Sequence, residues 1–136
     1  MPHIHTQPGE HDGTSSAYIV LEGGAEPRLW LHMHKKLGIW LQFGGHIELN
    51  ETPWQAMVHE LTEESGYELR QVQLLQPPVR IEHLTGGKSH PVVVSESTHV
   101  FPAGEVLHNH TDRAYAFVTS QQPALQPGEG ESKTMK

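Results

Sequence analysis

The chain has 136 residues, 35% hydrophobic and 18% charged, with 10 Pro, 13 Gly and no Cys. That is the length and composition of one loop-rich globular domain, and it excludes disulfides, zinc ribbons and a cysteine nucleophile. Nine Lys and Arg against sixteen Asp and Glu give a formal charge of -7, which argues against a nucleic-acid polymer as partner and asks that a metal mediate any phosphate contact.

In chain order, residues 1–13 read as a flexible lead into a core of about 17–120. Residues 16–22 are β-rich and close on Gly23-Gly24, and residues 28–34 alternate apolar and polar with period two, giving a hairpin or neighbouring strands. Residues 39–43 form a strand running into Gly44-Gly45, where the backbone bends sharply or lets something come close. Residues 52–65 are the one clear helix: Thr52 caps it, Pro53 suits the first turn, Gln55 completes a capping box and Gly66 ends it. Trp54, Met57, Val58 and Leu61 make its apolar stripe. Later strands fall at 72–75, 91–101 and 114–119, with turns at Gly86-Gly87 and Pro102-Ala103-Gly104. Strands around one early helix predict an α/β layered fold with a mixed sheet. The tail 121–136 carries no helical apolar stripe, so a C-terminal helix is missing. Either the chain is a truncated piece or one sheet face is covered otherwise, a dimer being one way. No apolar run reaches the roughly 18 residues of a membrane span and the N-terminus lacks a signal-peptide layout, so the expected setting is cytoplasmic, with no membrane partner.

The chemistry sits on the helix. Glu60, Glu63 and Glu64, at i, i+3 and i+4, repel one another and face the negative end of the helix dipole, which costs a few tenths of a kcal/mol per contact, roughly. A hard divalent cation offsets that cost, because Mg²⁺ prefers oxygen ligands and is held by a few carboxylates together with substrate phosphates. A solvated acidic surface with His59 and Glu63 as an i,i+4 pair is the plainer account of the local triplet alone.

The wider spacing decides. GHIELNETPWQAMVHELTEESGY, residues 45–67, places Gly45, Glu51, His59-Glu60-Leu61, Glu63-Glu64 and Gly66-Tyr67 at fixed intervals. This pattern resembles the Nudix box, except that His59 stands where the family has Arg. The resemblance implies a Nudix-like α/β/α sandwich over a single domain spanning 1–136. It also implies a hydrolase that cleaves the pyrophosphate linkage of a nucleoside diphosphate joined to another group, with Mg²⁺ or Mn²⁺ as cofactor. Carried over by position, Glu60 and Glu64 become metal ligands, Glu63 a third ligand or the water-activating base, and Glu51 an accessory ligand or loop anchor. Gly45, His46 and Glu96 are substrate-side positions, Glu96 as an added carboxylate from a later strand. His59 lacks the fixed bidentate charge of Arg, which predicts weaker or more pH-dependent catalysis.

Twelve histidines, about 9% of the chain, remain to be placed. His3 and His5, His32 and His34, and His108 and His110 each put two imidazoles on one side of an extended segment, a geometry that chelates transition metals. Lys35, Lys36, Arg28 and Arg113 are candidate phosphate contacts, and Trp30, Trp40, Tyr18 and Tyr115 stack a base or fill the core. Three functions are therefore open: a metal-dependent pyrophosphohydrolase, a catalytically weak nucleotide-binding or regulatory module of the same fold, and a histidine-rich β-protein binding a transition metal.

Overall fold

The computed structural model describes residue 7 and residues 10–35, 37–78, 91–103 and 106–127; at 101–103 and 106–108 it describes the backbone alone. The turn expected at Gly86-Gly87, the His3 and His5 pair, Lys36, Gly104 and the His108 side chain lie outside the described residues.

Two long strands make the centre. β1 (His11–Leu21) and β8 (Val106–Thr119) run parallel, in register from His11 against Asn109 to Leu21 against Thr119. A parallel pair needs a crossover connection, and here that crossover carries every other element. β2 (Arg28–Trp30) and β5 (Phe43–His46) pair antiparallel with successive parts of β1. β6 (Gln73–Leu74) and β7 (Ser95–Ala103) do the same on β8. The result is a six-stranded mixed sheet, beside which β3 (His32–Met33) and β4 (Trp40–Leu41) form a separate ribbon.

Several boundaries differ from the sequence reading: residues 28–34 divide into β2 and β3, residues 39–43 into β4 and the start of β5, the strand expected at 72–75 is Gln73–Leu74, and the one expected at 91–101 starts at Ser95. β1 begins at His11 rather than 16 and β8 at Val106 rather than 114, because these polar stretches are held by ladder bonds to neighbouring strands rather than by apolar alternation. β7 continues through Pro102 and Ala103, expected as a turn, in register with Leu107 and Val106. Pro102 is tolerated there because β7 is an edge strand, where no outer ladder bond is lost.

The helix starts as its residues predict. Gln55 N donates to Thr52 Oγ1 at 3.2 Å and Thr52 N donates to Gln55 Oε1 at 2.9 Å, a complete capping box ahead of α1 (Pro53–Glu60). It does not continue as α-helix to residue 65. Leu61–Ser65 is a π-helical turn, ended by Gly66 in the left-handed region at φ 79°. The Ser65 hydroxyl donates to the Leu61 carbonyl, a side-chain bond of the kind that bends a helix. Leu125 N donates to Gly66 O at 3.0 Å and Tyr67 Oη donates to Gln121 O at 2.7 Å, so the chain after β8 closes over this end of the helix.

Side-chain alternation divides the sheet into two faces. Ala17 and Ile19 of β1, Phe43 of β5, and Tyr115 and Phe117 of β8 are buried against Met57 and Leu61 of the predicted stripe. Trp54 packs edge-on to Tyr115 with ring centroids 5.2 Å apart. Tyr115 is thus a core residue. The opposite face, with Asp12, Thr14 and Ser16 on β1 and Asp112 on β8, is polar. Among the described residues α1 is the single α-helix, and no helix is long and apolar enough to cross a membrane.

Candidate active site

Gly44 and Gly45 are strand residues of β5, not a turn, and the close approach is what they serve. A Cβ on Gly45 would lie 2.5 Å from Glu60 Oε1, and one on Gly44 would lie 2.6 Å from the Ser15 carbonyl. The missing side chain at 45 is therefore the seat of the Glu60 carboxylate. Glu60 is 8% exposed and Glu64 7%. Both carboxylates turn inward at the end of the helix, where the π turn begins; such turns recur at functional sites.

Glu64 Oε2 accepts from Gly44 N at 3.3 Å and lies 3.1 Å from His32 Nε2. A carboxylate at that distance favours imidazolium, whereas burial favours the neutral ring. Burial wins: it pushes His32 below its ordinary value, with neighbouring His34 acting in the same direction and the Gln42 backbone opposing. A neutral His32 then serves Glu64 as an N–H donor. Parity along the alternating segment 28–34 was the signal for this inward histidine, which the sequence reading paired with His34 as a transition-metal chelate.

Glu63 stays more open, its side chain 29% exposed, and lies 3.1 Å from His59 Nε2 across one turn. The donor atoms of His59, Glu60 and Glu63 all fall within 4.8 Å of one another. These three are the box residues that the structure gathers. Glu51 instead closes its own loop, accepting from Glu48 N at 2.9 Å, and Glu96 on β7 sits 3.8 Å from Arg113 on β8.

A cavity of about 380 Å³ opens on the polar face of the sheet, beside Glu64 and its partners. Gly45 and His46 border it, together with His32, His34, His99 and His110. Its floor is a carboxylate the sequence reading missed. Asp112 accepts from Thr14 Oγ1 at 2.8 Å and from Ser16 Oγ at 2.7 Å. Only the β1–β8 register, which joins residues about a hundred positions apart, could have revealed that cluster.

Comparison with known proteins agrees with this geometry. The NUDIX domain model matches residues 13–134. The crystal structure of a NUDIX-family hydrolase from Clostridium perfringens is 32% identical, with a TM-score of 0.69 over 91% of this chain and 78% of that one. A C. elegans Ap4A hydrolase is 15% identical, with a TM-score of 0.59 over 92% of this chain and 77% of that one. The NUDIX domain of Shewanella oneidensis NrtR, crystallised with ADP ribose, is 14% identical, with a TM-score of 0.62 over 93% and 71%. The last two likenesses bear on the fold alone. No curated protein matches the chain in sequence. The box on its strand-to-helix frame, the matched domain and the similar hydrolase together place this chain in the Nudix hydrolase family.

Proposed function

We propose that the chain hydrolyses the diphosphate linkage of a nucleoside diphosphate derivative, using a divalent cation held by Glu60, Glu63 and Glu64. The observation that carries this reading is the pair of inward carboxylates, Glu60 and Glu64, both under a tenth exposed and seated against Gly44 and Gly45, which border the cavity. The carboxylates suit the ion, since Mg²⁺ and Mn²⁺ prefer oxygen donors; those of Glu60 and Glu63 already converge, beside His59, and Gly45 keeps the space over β5 clear for Glu60. When bound, such an ion polarises a phosphoryl oxygen and acidifies a coordinated water.

The chain's own residues divide the remaining work. Glu63, the most open of the three, takes the proton from the attacking water. His59 orients Glu63 across the turn, in the place where the family Arg stands, and His32 orients Glu64. Glu51 holds the loop that leads into α1. Gly45 seats the Glu60 carboxylate against β5, and His46 offers an N–H donor from the cavity wall. Asp112 fixes the Thr14 and Ser16 hydroxyls on the floor. The ligands named for the C. elegans and Shewanella neighbours favour the nucleotide class.

The test is a panel of pyrophosphate-containing nucleotides with Mg²⁺ or Mn²⁺, run on wild type and Glu63→Gln. Wild type turns over at least one member, and Glu63→Gln loses about 100-fold or more with its melting unchanged. Full turnover by Glu63→Gln removes Glu63 as the base. A wild type that binds nucleotide without turnover establishes the second reading, a binding module, which His59 in the Arg position favours.

A further inference from the structure

We propose a second metal site, separate from the helix carboxylates, formed by Asp12, His46 and His110 and taking a transition-metal dication of the Zn²⁺ class. The strand registers create it. His110 on β8 lies opposite Asp12 on β1, and His46 on β5 lies opposite Thr14, two residues further along β1 on the same face. Three neighbouring strands thus aim three donors at one point.

The side chains meet there. One donor atom from each of Asp12, His46 and His110 lies within 4.8 Å of the other two. The two imidazole rings are 4.7 Å apart between centroids, at 83°. Asp12 is 4% exposed, and Asp12 Oδ2, both His46 ring nitrogens and His110 Nε2 are shielded from solvent. Small side-chain rotations bring atoms this close onto one ion with bonds of about 2.0–2.2 Å. Asp112, next along the same face, is already committed, since its two oxygens accept the Thr14 and Ser16 hydroxyls.

The chemistry separates this site from the first. Two neutral imidazoles and one carboxylate suit Zn²⁺, Co²⁺ or Ni²⁺, whereas the all-oxygen helix set suits Mg²⁺. Three protein ligands leave a fourth position open, and His46 and His110 both border the cavity. Two positive charges from the ion against the Asp12 carboxylate leave one net positive charge in the site itself, with the Asp112 carboxylate a separate charge on the floor. In a chain of formal charge -7, this provides a local anchor for an anionic oxygen. The site does not depend on the hydrolase reading.

Untagged protein stripped of metal is titrated with Co²⁺ alone, without nucleotide, and followed through the visible d–d absorption. The expected result is one equivalent that Zn²⁺ displaces and excess Mg²⁺ does not. His46→Gln and His110→Gln each weaken that binding by about 100-fold or more. His59→Gln and the double variant His3→Gln with His5→Gln leave it unchanged. His110→Cys adds a thiolate-to-cobalt charge-transfer band, a signature that altered folding does not create. X-ray absorption of the Zn²⁺-loaded wild type counts two imidazoles. Absence of the d–d band, binding that survives both single variants, an unaltered spectrum in His110→Cys, or a zinc shell without two imidazoles would each overturn the proposal, and the first of these would leave Asp12 and the histidines a metal-free polar cluster.

Discussion

The helix carboxylates and the histidine wall of the cavity are built in opposite ways. Glu60, Glu63 and Glu64 come from one stretch of chain, set by the helical repeat and by the π turn that follows α1. Asp12, His46 and His110 come from three strands and meet only because β1 pairs with β5 on one side and β8 on the other. The first is mostly carboxylate oxygen, the second mostly imidazole, and the two share no residue. Local sequence can specify a cluster of like charges, but a mixed donor set drawn from remote segments requires a sheet to align it.

The glycines of β5 separate the two clusters most sharply. Gly44→Ala forces a Cβ into the Ser15 backbone, which cannot rotate away. It should cost about 1–3 kcal/mol, read as a lowered midpoint in urea. Gly45→Ala meets the movable end of Glu60 instead. It should fold nearly as wild type yet lose turnover, because Glu60 is pushed from its seat. Equal stability losses in the two variants would break the distinction between backbone support and carboxylate seat.

His59→Arg acts on the helix cluster alone. A fixed guanidinium in place of the imidazole should raise turnover a few-fold and make it less dependent on pH, with Co²⁺ binding at the histidine wall unaltered. An unchanged pH profile would show that His59 already does all that the family Arg does.

The smallest effect appears only in alkali, under the helix. Burial pushes Tyr67 above its ordinary 10.0, with the Trp30 contact opposing, and pushes Tyr115 up likewise, with Arg113 opposing. The folded chain therefore keeps phenolic protons that the unfolded chain releases. Their stabilisation is complete below about pH 10 and is lost as pH rises through the folded values. Denaturant melts above pH 10 should show a falling stability that Tyr67→Phe with Tyr115→Phe makes shallower.

The amino-acid order by itself determined the capping box at Thr52 and Gln55, the apolar stripe, the β1–β2 hairpin region and the spacing that identifies the family. Each rests on neighbours a few residues apart, where propensity and hydrogen-bond chemistry act locally. Other features waited on the tertiary structure. Val106 and His11 became strand ends because a ladder to a neighbouring strand, β7 for Val106 and β8 for His11, satisfied polar backbone that shows no alternation. The pairing of Glu64 with His32, the Asp112 floor and the meeting of Asp12 with His110 all depend on long-range contacts. A strand displaced by one residue would send every one of those side chains to the other face, and only the folded sheet fixes that choice.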